Sequence, residues 1–299
     1  MIMRYRGLTK EVGYMKDNRE KEKNNCKILQ WHPAFFAGLQ IEFEDEKNKL
    51  IFEREYNLGT KPMQIDVIVI KKRDEDTIHK NIGQIFKKYN IIEYKGPTDY
   101  LSVDDFYKVY GYTCFYKSTS DSIDNIKITD LTITFVCNKF PTKLAKHLSD
   151  IRGFTIDKIE SGIYYIGKDI IPIQLLVTSE LSEKVNLWLR SLTNDLTSLD
   201  IINKLSREYS MHQYNELYKS MMNIITRANK ERFKEVMGMC EALKELWADD
   251  IEQSRNEGIR CTIDSCKELG GTEEQIHALL VKNYKITEEE AEEYMKLYW

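Results

Sequence analysis

The sequence has no apolar run of the ~18 residues that a membrane span requires, and Met1 to Arg6 are not followed by the apolar stretch of a secretory signal. Its six cysteines (Cys26, Cys114, Cys137, Cys240, Cys261, Cys266) form no C-x-x-C pair, and its five histidines share no metal-ligand spacing with one another or with cysteine. This pattern argues against a structural zinc site and reads as the reduced thiols of a cytoplasmic protein. A Gly-rich dinucleotide loop and a P-loop are also missing, which removes the commonest nucleotide enzymes from consideration. With only 5 Pro and 14 Gly there is little material for long unstructured linkers. The net charge of −4 does not advertise a polyanion binder, although residues 1–118 carry a slight basic excess and the acidic excess lies beyond them.

Two short strand-like runs stand out: Gln64-Ile65-Asp66-Val67-Ile68-Val69-Ile70 and Ile91-Ile92-Glu93-Tyr94-Lys95-Gly96. Each places charge inside an apolar, β-branched stretch, and a buried carboxylate without a partner is costly. Glu93 and Lys95 are two apart, so on a strand they share a face. If the strand bearing Asp66 lies beside them, two carboxylates and one ammonium converge. Such a group can hold a divalent cation and a water next to a phosphate. A second acid on the preceding helix would tune that site. Glu42 follows the apolar stripe Phe35, Phe36, Leu39 and is the candidate, with Glu44 as the competing choice. Glu55 and Gln64 flank the proposed site. Tyr107 and Tyr110, three apart on a helix, are positioned either to touch a nucleic acid or to pack.

The pattern around these runs is α/β. Residues 1–30 are polar and are expected to be a flexible N-terminal segment. A helix begins at Trp31, Ile51–Leu58 alternates as a strand, and Gly59–Pro62 reads as a turn. Ser102-Val103-Asp104-Asp105 forms a capping box for a helix over roughly Asp104–Lys117, and Leu131–Cys137 is a further strand. A helix over Pro141–Leu148 and strands at Gly162–Gly167 and Ile173–Val177 follow. From Ser182 onward only helical periodicity is present, with long helices expected over Tyr214–Cys240 and Glu241–Leu269. Capping boxes at Thr272–Gln275 and Thr287–Glu290 open two short terminal helices.

The order helix, three strands, helix, strand, with Asp66 on one strand and Glu93-x-Lys95 on the next, resembles the PD-(D/E)XK nuclease superfamily. Within it, the two charged strands and the Tyr-rich stretch Phe106–Tyr116 look like the bacterial recombination-promoting nuclease and transposase-like branch. The resemblance spans residues 31–180. It implies a restriction-endonuclease-like core with a mixed central sheet flanked by helices; the helical periodicity beyond it makes 181–299 an all-helical C-terminal region that adds little to the resemblance. The resemblance also implies Mg²⁺-dependent DNA cleavage, with Mn²⁺ as a substitute. Asp66 and Glu93 would bind the metal together with the Tyr94 main-chain carbonyl, and Lys95 would position the attacking water. Ile65 replaces the proline of the family's motif. The segment from Lys71 to Asn90 must loop out of the sheet if Asp66 is to meet Glu93.

The expectation is therefore a cytoplasmic DNA endonuclease of mobile-element type, with DNA as partner, no membrane association, and charged C-terminal helices suited to homo-oligomer contacts. The alternative is a catalytically weak or inactive nuclease-fold module that binds DNA or a protein.

Overall fold

A computed structural model describes residues 29–57, 64–119, 122–236 and 241–299. The expected flexible segment, apart from residues 29 and 30, and the turn at 59–62 lie outside the described residues. Helix α1 (Trp31–Glu42) leads into β1 (Leu50–Asn57), β2 (Gln64–Lys71) and β3 (Tyr89–Tyr94). Then come α2 (Val103–Ser118), β4 (Leu131–Cys137), α3 (Thr142–Arg152), β5 (Thr155–Glu160), β6 (Ile163–Gly167) and β7 (Ile173–Val177). The order through Cys137 is the one the sequence predicts.

The strands form one seven-stranded mixed sheet in the order β1-β2-β3-β4-β7-β6-β5. The central pairs β3/β4 and β4/β7 are parallel, and the outer pairs are antiparallel. Central strands covered on both faces read as continuous apolar runs. Accordingly every residue of β4 and of β7 is buried.

Helices cover both faces. Phe106 of α2 is fully buried and stacks on Phe135 of β4 at 5.5 Å between centroids. Phe135 pairs with Glu93, so this is also the face to which Glu93 belongs. Tyr94 points to the opposite face, where Phe35 of α1 stacks on it at 4.2 Å. Burying each of these phenylalanines contributes ~1.5–3 kcal/mol.

The segment between β2 and β3 holds a single turn of 3₁₀ helix at Asn81–Gly83, and β2 pairs directly with β3. The loop-out that the sequence reading requires is therefore present. Asn90 secures it: its side chain accepts from Lys87 N at 2.8 Å and donates to Val69 O at 2.9 Å.

The chain divides into two compact units between residues 236 and 237. The first unit includes α4 (Leu187–Ser191), α5 (Leu199–His212), α6 (Glu216–Ala228) and α7 (Lys230–Val236) in addition to the sheet. Residues 181–236, grouped by the sequence reading with the C-terminal helices, thus share a unit with the sheet, and α1 packs on α4 and α6. The second unit contains α8 (Glu241–Glu268), α9 (Glu273–Tyr284) and α10 (Glu288–Tyr298). These bury Ile259, Ile263, Ile276, Leu280, Ala291 and Met295 among themselves. Both expected capping boxes, at Thr272 and Thr287, are formed. No helix among the described residues is long and apolar enough to cross a membrane.

Candidate functional site

The β2/β3 ladder runs to Val67↔Ile92. Continued by one step, its register sets Asp66 opposite Glu93. At that point the Asp66 side chain replaces the ladder, and Oδ2 accepts from Tyr94 N at 3.0 Å. The N–H and C=O of one strand residue share an edge, so the Tyr94 carbonyl lies on the Asp66 side as well.

Glu93 is 3 % exposed. Burial first, and the Asp66 charge second, push its carboxyl up to about 7, against the pull of Lys95 and Lys108. Lys95 Nζ lies 3.3 Å from Glu93 Oε1 and 2.8 Å from Asp105 Oδ1. Burial alone would lower the Lys95 pKa, but these two acids outweigh it and hold the ammonium above its ordinary value. Lys108, one turn beyond Asp105 on α2, brings Nζ to 3.9 Å from Glu93 Oε1.

Helix α1 enters the group through its start. His32 Nε2 lies 3.7 Å from Asp66 Oδ2, and its ring meets Tyr94 edge-on at 5.5 Å. Trp31 lies over Gly96, where an added Cβ would touch its ring at 3.6 Å.

Asp66, Glu93, Tyr94 and Lys95 are therefore brought together, and Glu42 is not. With 1.5 Å of rise per residue, Glu42 sits about 15 Å along α1 from His32. Its carboxylate is occupied elsewhere. Oε2 pairs with Lys80 Nζ at 2.5 Å, and Oε1 accepts from Trp188 N at 3.0 Å and Leu189 N at 3.1 Å. Those amides belong to the first turn of α4, where donors lack helical partners, so Glu42 caps α4 across the fold. Burial pushes its carboxyl up even so. Glu44, the competing choice, accepts from Tyr218 OH of α6 at 2.8 Å.

The flanking candidates separate in the same way. Glu55 falls between the pairs Arg54↔Val67 and Tyr56↔Ile65, opposite Asp66, with a positive φ of 54°. A left-handed glutamate costs ~1–2 kcal/mol. Gln64 Nε2 donates to its carbonyl at 3.0 Å. Tyr107 and Tyr110 face away from the carboxylates. Tyr107 OH lies 3.0 Å from His147 Nε2 of α3, and Tyr110 OH donates to Asp169 Oδ1 at 3.1 Å. Arg152 lies against both rings.

His32 and Asp105 are the site residues that the sequence reading passed over. Asp105 carried a signal, because Ser102-x-x-Asp105 announced a cap, but nothing local ties it to Lys95. Among the described residues, no three His, Cys, Asp or Glu side chains gather as ligands for a metal ion. A cation here would rest on two carboxylates, a main-chain carbonyl and water, a donor set of hard oxygens. Comparison with known proteins finds no family model, no curated protein and no solved structure that matches this chain.

Proposed function

We propose that the protein is a Mg²⁺-dependent DNA endonuclease of mobile-element or recombination-promoting type, with a restriction-endonuclease-like core of the PD-(D/E)XK kind. The observation that carries this reading is the meeting of Asp66 and Glu93 across paired strands, with Lys95 beside them. Glu93 is buried next to a second carboxylate, and a bound cation would offset the repulsion between them. The donors fit Mg²⁺ or Mn²⁺, which when bound would neutralise phosphate charge and lower the pKa of water.

Asp66, Glu93 and the Tyr94 carbonyl would hold that ion. Lys95 contributes a fixed positive charge 3.3 Å from Glu93. From there it would orient the attacking water and offset charge building on the phosphate. The slight basic excess of residues 1–118 suits a polyanionic substrate. Nicking of supercoiled plasmid in Mg²⁺ is the test: the unmodified protein should cut, and Asp66→Ala and Lys95→Ala should each cut far more slowly. Equal cleavage by all three would overturn the proposal.

A second reading, a nuclease-fold module that binds DNA or a protein without cutting, is favoured by Lys95 and Lys108. Both already face Glu93, and each offsets part of its charge without a metal. It expects DNA retention with no cleavage at any Mg²⁺ or Mn²⁺ concentration.

A further inference from the structure

Asp105 uses its two carboxylate oxygens for different purposes. Oδ2 closes the N-terminus of α2, accepting from Ser102 N at 2.9 Å and from Ser102 Oγ at 2.6 Å. The Asp105 amide returns the bond to Ser102 Oγ at 3.1 Å. Oδ1 is left to face Lys95 Nζ at 2.8 Å. In a capping box the side chain of the third helical residue reaches back to the N-cap amide. Here half of it reaches across to the strand.

Lys95 needs such a holder. Its backbone is anchored, since its amide donates to Val136 O at 2.8 Å. Its four-carbon stem is not, and fixing a lysine side chain costs up to ~2 kcal/mol of rotamer entropy. Glu93 cannot serve alone, because a cation would claim the same carboxylate. Asp105 is held by a helix terminus rather than by the cation site, so its grip would outlast metal binding.

We propose that Asp105 is a positioning residue for Lys95, using the capped start of α2 as a rigid mount for the catalytic ammonium. The role rests on the nuclease reading of Lys95, but the contact itself can be tested apart from activity. Ser102→Ala removes the two Ser102 Oγ bonds of the cap but keeps the Ser102 amide's bond to Asp105 Oδ2 and the Asp105–Lys95 pair, so it controls for weakened helix capping. Asp105→Asn keeps an acceptor for the cap and loses the anion.

The readout is the Lys95 ζ-ammonium resonance in ¹⁵N NMR, assigned with Lys95→Ala, together with kcat for plasmid nicking. Hydrogen exchange at the Lys95 ammonium should quicken about tenfold or more in Asp105→Asn, as expected for loss of a charge-assisted hydrogen bond. It should stay unchanged in Ser102→Ala. For nicking, kcat should fall ~10–10²-fold in Asp105→Asn, the cost of a misplaced group, with KM little changed. Adding Asp105→Asn to Lys95→Ala should cost nothing more. An unchanged exchange rate in Asp105→Asn, or equal losses in Ser102→Ala, would overturn the assignment. If the unmodified protein does not cut DNA, the nuclease reading fails, and the exchange rates still decide whether Asp105 holds Lys95.

Discussion

Replacing Glu93 with glutamine should stabilise the metal-free protein at alkaline pH, although the residue is buried at the centre of the candidate site. The Glu93 carboxyl has an ordinary value of 4.5 and is raised to about 7 in the fold, first by burial and then by Asp66. Below 4.5 the group is protonated in both states, and its full contribution to stability is present. Between 4.5 and about 7 the unfolded chain releases the proton and the folded chain retains it, so stability falls as pH rises. That interval corresponds to about 3 kcal/mol, lost by the time pH passes the folded value. The amide of the Glu93→Gln variant does not titrate, so that variant should lose none of this contribution over the range. Urea unfolding followed by circular dichroism, with chelator present, at pH 4.5 and pH 8.5, measures the difference. The gap between the Glu93→Gln variant and the unmodified protein should widen in favour of the variant by up to that amount. Asp66→Asn should move the falling segment toward acid, because one of the two causes is gone. An identical pH response in Glu93→Gln and the unmodified protein would refute the reasoning, since Lys95 and Lys108 would then suffice to keep Glu93 an ordinary anion.

Other substitutions separate chemistry from architecture. Lys95→Ala should lower plasmid cleavage ~10²–10³-fold, the range seen when a charge-stabilising group is removed, while its circular dichroism spectrum stays unchanged. Glu42→Ala should destabilise the first unit by about 3–5 kcal/mol in urea unfolding, because it takes the ion-pair partner from the largely buried Lys80, which keeps the Val185 carbonyl, and the acceptor from two amides of α4. Any surviving folded Glu42→Ala protein should still bind Mn²⁺, which a metal-ligand role for Glu42 would forbid. Tyr110→Phe should cost about 1 kcal/mol through its lost bonds to Asp169 and leave the cleavage rate unaltered.

The pair of charged strands was legible because a strand's period of two is local, and burial of charge among Ile and Val is conspicuous. The Ser102 cap was legible for the same reason. Glu42 was misplaced because its partners Trp188 and Leu189 lie 146 and 147 positions away in the chain, and no helical pattern records such a distance. Asp105 was visible as a cap only, since its second oxygen is spent on a contact between a helix and a strand. The strand Thr155–Glu160 was missed because most of it is exposed at a sheet edge, where apolar alternation is weak. The single helix read over Tyr214–Cys240 breaks at Asn229, whose side chain donates to Thr193 O at 2.6 Å and accepts from Leu196 N at 2.9 Å. Asn229 thereby ties the helices to a preceding loop.

Calorimetric titration with Mn²⁺ tests most directly whether Asp66 and Glu93 hold one cation between them. The unmodified protein should bind one equivalent through this pair. Asp66→Asn and Glu93→Gln should each abolish that event, and Glu42→Gln should leave it in place. Retention of the same binding by the Asp66→Asn and Glu93→Gln variants, or no binding to the unmodified protein at millimolar Mn²⁺, would contradict the pairing and the nuclease reading built on it.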